Sequence, residues 1–197
     1  MIDYNDYFYP RQIKKNLKKN FLTVGWGSKK TQNIRFENIY KYFKKENFSV
    51  LDVGCGLGDF YDFLKKKKIK FKYTGIDINK DFINLCKKKY KKTSFIKSHF
   101  LDYKIKSKPT YIIISGSLNL PVDDYGFVFL KIIKKMFIFS KDKCIFNLLV
   151  SSSKKIYKYN AYANMNKLPK LIDAISKFYI IDKSYLPHDI SIVLTKK

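Results

Sequence analysis

The sequence predicts an α/β protein built on a mostly parallel sheet with helices on both faces. Three observations predict it. Short apolar runs alternate with helical patterns along most of the chain. The runs are apolar at nearly every position rather than at every second one, as expected of strands covered on both sides. The last two runs, YIIDKSYL and DISIVLTKK, follow each other across a short turn containing Pro187, so the final strand must run antiparallel to its neighbour.

Taken in order, residues 29–45 read as a helix after Ser28, a side chain suited to an N-cap. SVLDVG is a strand and DFYDFLKKKK a helix. YTGIDI is a second strand, followed by the helix NKDFINLCKKKYKK with Asn79 placed to cap it. TSFIKSHF and TYIIISGSL are the third and fourth strands. Residues 123–138 form a helix, KCIFNLLV a fifth strand, and MNKLPKLIDAISKFY a helix starting near Pro169. No repeat or Pro/Gly/Ser-rich linker interrupts the 197 residues, which are enough for one sizeable core. We divide the chain into an N-terminal segment, 1–28, a candidate lid, and a single domain, 29–197.

Composition narrows the class. Apolar residues make up 46% of the chain, with 17 Phe and 16 Tyr, which excludes a disordered chain. No apolar run approaches the ~20 residues of a bilayer span. The start, MIDYNDYFYPRQ, lacks the basic and apolar regions of a signal peptide. Cys55, Cys86 and Cys144 show no metal spacing and read as reduced thiols of a cytoplasmic protein. The net charge of +25 has two readings: a nucleic-acid surface, or lysine-rich composition, which we place first. The runs at 65–68 and 87–89 sit where helices end, and there cations favour the helix dipole without a partner.

VLDVGCGLGDF, residues 50–60, is a strand, a glycine-rich turn and a helix start. Gly54, Gly56 and Gly58 permit positive φ and close approach of a ligand. A dinucleotide fingerprint wants glycine where Asp59 stands, and Asp52 adds a second charge hostile to pyrophosphate. A ligand with a cationic head and no phosphate fits better. Asp77, 25 residues after Asp52 at the end of the second strand, is placed to accept two ribose hydroxyls.

VLDVGCGLGDF followed by YTGIDI resembles the first two motifs of class I S-adenosylmethionine-dependent methyltransferases. VGWGSKKTQNIRF, SFIKSHFLDY, YIIISGSLNL and FNLLVSS extend the resemblance to a subgroup of small single-domain enzymes of unassigned substrate. The resemblance implies a doubly wound, Rossmann-like seven-stranded sheet in the order 3-2-1-4-5-7-6, with strand 7 antiparallel. It implies S-adenosyl-L-methionine as cofactor. By position, Gly54 and Gly56 would face it, Asp52 would hold the loop or the ammonium through water, and Asp77 would bind the ribose. Ile78 would pack on adenine, and Ser115 would sit beside the methionine portion. The family usually has an acidic residue where His99 stands. His99 would accept from the adenine amino group through a neutral nitrogen, or leave the contact to the backbone of Phe100. Strand 4 often begins with Asp where Thr110 stands.

Arg35 is one of two arginines in a chain that otherwise uses lysine, and Trp26 is its one tryptophan. Gln32 and Arg35 share a helix face. A guanidinium matches a carboxylate as lysine does not, so Arg35 would grip the cofactor carboxylate with Gln32 assisting. Trp26 would close over the methionine portion. Methyl transfer mainly needs the reactants held in line, and a base only for a hydroxyl or charged amine. Candidates are His99, Asn119, Asn147, His188 in its turn with Asp189, and the tyrosines of KKIYKYNAY. SGSLN stands where base-methylating enzymes usually carry an NPPY-like tetrapeptide. A small-molecule acceptor, methylated on O or N, is therefore expected ahead of RNA, with a non-catalytic cofactor-binding scaffold as a third reading.

Overall fold

The structure is a computed structural model that describes residues 9–16, 19–43, 46–120, 124–151 and 160–196. Seven strands pair in one sheet: β1 Phe48–Val53, β2 Phe71–Asp77, β3 Ser94–Lys97, β4 Tyr111–Ile114, β5 Lys143–Leu149, β6 Tyr179–Leu186 and β7 Asp189–Thr195. Their order is 3-2-1-4-5-7-6. The first five run parallel, and β7 pairs antiparallel with both β5 and β6. The expected topology is the observed one.

Strand β4 shows why the apolar runs are continuous. All four of its residues are at most 1% exposed. Tyr111 and Ile113 belong to one core layer, with Phe36, Phe60, Leu64 and Ile83. Those four lie on helices α3 Lys29–Tyr40, α4 Asp59–Lys66 and α5 Lys80–Lys89. Ile112 and Ile114 belong to the other layer, with Phe129, Ile133 and Met136 of α6 Tyr125–Phe139 and with α7 Leu168–Asp173. Burial on both faces leaves no position for a polar residue.

The helix caps fall where the side chains predict. Ser28 Oγ accepts from the Thr31 N–H at 3.1 Å, and Asn79 Oδ1 from those of Asp81 and Phe82 at 3.0 Å. Several ends differ. Helix α3 stops at Tyr40 rather than 45, and Phe43 stacks its ring on Tyr111 at 4.1 Å. Strand β3 is four residues long, because β2 ends at Asp77, opposite Lys97, and offers no further partner. Helix α7 is a short piece, since the Ser176 hydroxyl accepts the Phe178 N–H and turns the chain into β6. The N-terminal segment contributes two short helices absent from the sequence reading, α1 Tyr9–Asn16 and α2 Asn20–Thr23. Among the described residues no helix is long and apolar enough to cross a membrane.

Candidate functional site

Parallel strands bring the ends of β1, β2 and β4 to one edge, and a cleft of about 1120 Å³ lies over it. The glycine loop forms its floor. Gly54 has φ +72°, and a Cβ there would lie 2.5 Å from Ser117 Oγ, so a side chain is excluded twice over. The Gly54 and Cys55 N–H groups both donate to the Ile76 carbonyl, at 2.8 and 3.0 Å. The Gly56 N–H donates to Asp77 Oδ2 at 2.9 Å, and the Asn79 N–H to Oδ1 at the same distance. Asp77 is thus fixed at the rim, each oxygen keeping a second lone pair for a ligand. Burial raises its pKa, against these backbone donors.

Asp52 lines the cleft but lies beneath the loop, 3% exposed, and accepts a short hydrogen bond from the Tyr73 hydroxyl. Burial pushes its carboxyl up to about 7, helped by the nearby charges of Asp77 and Asp59. Asp59, at the start of α4, accepts from Gln32 Nε2 at 3.1 Å and has Lys29 Nζ at 3.5 Å. The amide of Gln32 is therefore directed at Asp59, with its oxygen taking Lys29 Nζ at 2.7 Å.

The turn after β4 makes the opposite wall. Gly116 has φ +88°, and a Cβ there would meet the Trp26 ring at 2.8 Å. Asn147, fully buried, accepts the Gly116 N–H at 2.9 Å, and its amide nitrogen reaches Ser115 Oγ at 3.5 Å. Asn119 accepts the Leu149 N–H at 2.9 Å. Both asparagines brace backbone around the turn. Trp26 lies over this turn, and the Arg35 guanidinium sits 4.7 Å from its ring centroid. Arg35 Nε donates to Asp189 Oδ2 at 2.6 Å, and Nη1 donates to the Thr31 carbonyl at 3.3 Å.

The cleft gathers every cofactor-site residue expected from the sequence: Trp26, Gln32, Arg35, Asp52, Gly54, Gly56, Asp77, Ile78, His99, Phe100 and Ser115. His99 lies on the Asp77 side and His188 near the end of β5, where its carbonyl accepts the Val150 N–H. Of the tyrosines in KKIYKYNAY, Tyr162 lines the cleft, and Tyr157 and Tyr159 lie outside the described residues. Among the described residues no three His, Cys, Asp or Glu gather as a metal set. Sequence reasoning missed three contributors. Gly116 was signalled by the SGS turn itself, whereas Asp189 as partner of Arg35 and Lys135 behind Phe100 left no local pattern.

Residues 50–135, which hold the glycine loop, Asp77, His99 and the Gly116 turn, match the family described as a methyltransferase domain. Ribosomal RNA small subunit methyltransferase A of Hydrogenobaculum sp. is 28% identical over 156 residues, 77% of this chain. The chain spans 58% of that relative's length. Among solved structures, a plantazolicin methyltransferase superposes with a TM-score of 0.76 at 18% identity, covering 98% of this chain and 93% of that one. A S-adenosylmethionine-dependent methyltransferase of Archaeoglobus fulgidus gives 0.69 at 18% identity, covering 97% and 100%. Magnesium protoporphyrin IX methyltransferase of Synechocystis PCC 6803, solved with S-adenosylhomocysteine, gives 0.68 at 11% identity, covering 98% and 96%. The family match falls on the loop and carboxylate that the fold brings to one edge, and the solved structures share the fold, so residues 50–135 are similar to a methyltransferase domain and the chain has the Rossmann-like fold of the matched methyltransferases.

Proposed function

We propose that this protein is an S-adenosylmethionine-dependent methyltransferase that acts on an oxygen or nitrogen of a small-molecule acceptor. The observation that carries the reading is the cleft itself: one continuous space of about 1120 Å³, walled beyond the glycine loop by Trp26, Leu118, Tyr125, Phe129 and Leu149. Small-ligand sites run to roughly 300–1,000 Å³ with apolar walls and few polar groups, so this cleft has room for a cofactor and a compact acceptor. Structurally similar proteins include enzymes named for magnesium protoporphyrin IX and plantazolicin, which favours the same acceptor class.

The cofactor supplies a methyl carbon already activated by a sulfonium. The chain's residues bind and orient. Asp77 accepts the ribose hydroxyls, Gly54 and Gly56 leave the floor open, and Ile78 covers the adenine. Arg35 spends three of its five N–H groups on Asp189 and Thr31. The remaining two are directed to the cofactor carboxylate in this reading. Trp26 excludes water over the methionine portion, with residues 1–28 as its lid. Asn119 and Asn147 hold the turn that carries Ser115. His188 is the base when the acceptor is a hydroxyl, since it stands on the Leu149 side, away from Asp77. The buried free thiols Cys55, Cys86 and Cys144 are in keeping with a cytoplasmic site of action.

RNA as acceptor is the second reading, favoured by the ribosomal RNA methyltransferase relative and the +25 charge. One experiment tests both. S-adenosylhomocysteine is titrated calorimetrically into wild type and Asp77→Ala, with binding expected to weaken more than about tenfold in the variant. Labelled S-adenosylmethionine is then offered with a small-molecule panel and, separately, ribosomal RNA at two salt concentrations. Transfer to RNA alone, weakened by salt, would overturn the small-molecule reading.

A further inference from the structure

Lys135 lies on α6 between Ile133 and Met136, both fully buried. Its ammonium donates to three backbone carbonyls: Phe100 at 2.8 Å, Leu101 at 2.7 Å and Tyr103 at 2.8 Å. An ammonium has three donors and no acceptor, so every donor of this side chain is committed to one turn. The same ammonium lies 5.2 Å from the Phe100 ring centroid. Other described lysines pair instead with carboxylates, as Lys67 does with Glu37 and Lys89 with Asp62.

That loop is anchored in the core by Phe100, Tyr103 and Ile105, while the carbonyls it turns inward take their donors from Lys135. Strand β3 ends at Lys97. Beyond it, the Asp102 and Tyr103 N–H groups fold back on the His99 carbonyl at 3.1 and 3.0 Å. The turn therefore points its carbonyls inward, where their partial negative charges crowd together. A cation at their focus relieves that crowding, and burial lowers the Lys135 pKa with only Asp102 opposing. On the cleft side the same residues present His99 and the buried Phe100 next to Asp77 and Ile78.

We propose that Lys135 is a positioning residue for recognition of the purine base, fixing the backbone at 99–101 so that one edge of the cleft discriminates adenine from other purines. The inference rests on the cofactor placement given above. It does not make Lys135 a contact of the base; the residue acts through Phe100 and its neighbours.

The test uses the whole chain and two ligands, S-adenosylhomocysteine and S-inosylhomocysteine, which differ only in the base. Dissociation constants are measured by calorimetry for wild type, Lys135→Met, Lys135→Gln and Lys135→Arg. The methionine keeps the apolar stem and removes the donors. The expected result is that wild type prefers the adenine ligand, that K135M and K135Q reduce this preference about fivefold, and that K135R restores part of it. A merely structural role would weaken both ligands equally, and an unchanged ratio overturns the proposal. If K135M does not fold, K135Q carries the same comparison, and failure of both to fold while K135R discriminates like wild type counts against a positioning role, because stability alone then explains the residue. Wild type binding neither ligand removes the cofactor placement as well, an outcome distinct from binding without a change in ratio.

Discussion

Arg35 and Asp189 are 154 residues apart in sequence and form a buried ion pair, with Nε 2.6 Å and Nη2 2.5 Å from one carboxylate oxygen. The other oxygen takes the Tyr185 hydroxyl, which in turn accepts from Ser191 Oγ at 3.0 Å. Helix α3 is thereby tied to the β6–β7 hairpin at the cleft end. A second carboxylate, Asp182, ties it lower down through Asn38, Lys41 and Tyr42. The helix that offers Thr31, Gln32 and Arg35 to the cleft is held by two clasps on the antiparallel edge of the sheet.

Removing one partner of a buried pair leaves the other charge stranded, at a cost of about 3–5 kcal/mol, whereas replacing both by apolar residues is often neutral. Asp189→Ala should therefore lower unfolding free energy by about that amount, and Arg35→Met with Asp189→Leu should recover most of it. Urea titration measures both. If Arg35 also grips the cofactor, the double variant is stable yet binds S-adenosylhomocysteine weakly. A double variant that binds like wild type would remove Arg35 from the cofactor site.

What was legible in the sequence was whatever has a local cause. The parallel sheet and its antiparallel last strand could be read because Tyr111–Ile114 and their counterparts are apolar on both faces and because the last two strands lack a helix between them, whereas the strand order followed from the family resemblance. The glycine loop could be read because a tight turn at positive φ demands glycine, and Asp77 because a carboxylate ending an apolar strand stands out beside that loop. Arg35 stood out as an exception to lysine, but its partner did not, since no spacing rule connects residues on opposite sides of the domain. Lys135 was hidden among many lysines, and only the turn it faces distinguishes it. The asparagines 119 and 147 were readable as polar groups at the cleft edge, while their attachment to backbone N–H groups needed the fold.

Trp26, the single tryptophan, is a built-in reporter of the cleft. Gly116→Ala places a methyl group 2.8 Å from its ring at a backbone φ of +88°. Such positions cost about 1–3 kcal/mol for a residue with a side chain, and the ring must move. The expected outcome is a red-shifted emission and roughly tenfold weaker S-adenosylhomocysteine binding, an order-of-magnitude figure equal to ~1.4 kcal/mol. Gly126→Ala is the control. It lies in α6 with open space at its Cβ, and should stabilise the protein by about 0.4–1 kcal/mol with no change in emission.

The Asp182 clasp has a pH signature. Burial would push its carboxyl up, but hydrogen bonds from Lys41, Ser184 and Asn38 outweigh that and hold it well below the usual range. A depressed folded value means the stabilisation is present above the unfolded pKa of about 3.9 and is lost as pH falls through the folded value. Asp182→Asn should be less stable than wild type at neutral pH, and the gap should close in acid. Denaturation midpoints across the acid range measure it; a gap independent of pH would mean that the charge contributes nothing.

Asp52 has the opposite sign. Its folded pKa, pushed up to about 7 by burial, lies above the unfolded value. Between about pH 4 and pH 7 the folded state binds the proton that the unfolded chain has released, so this group's contribution to stability falls as pH rises, by about 1.4 kcal/mol per unit at most. Asp52→Asn removes that slope, and relative to wild type it should gain stability from pH 5 to pH 8. A cationic ligand over the loop favours the carboxylate, so binding should release a proton near pH 6. Calorimetry in two buffers of different ionisation enthalpy reads that release directly. Wild type should show a buffer-dependent binding enthalpy at about pH 6, and Asp52→Asn a much smaller one. Because Asp77 is also raised and also lines the cleft, the variant decides between them. If Asp52→Asn leaves the buffer dependence intact, the released proton comes from Asp77, and the expectation that Asp52 holds the cofactor ammonium fails with it.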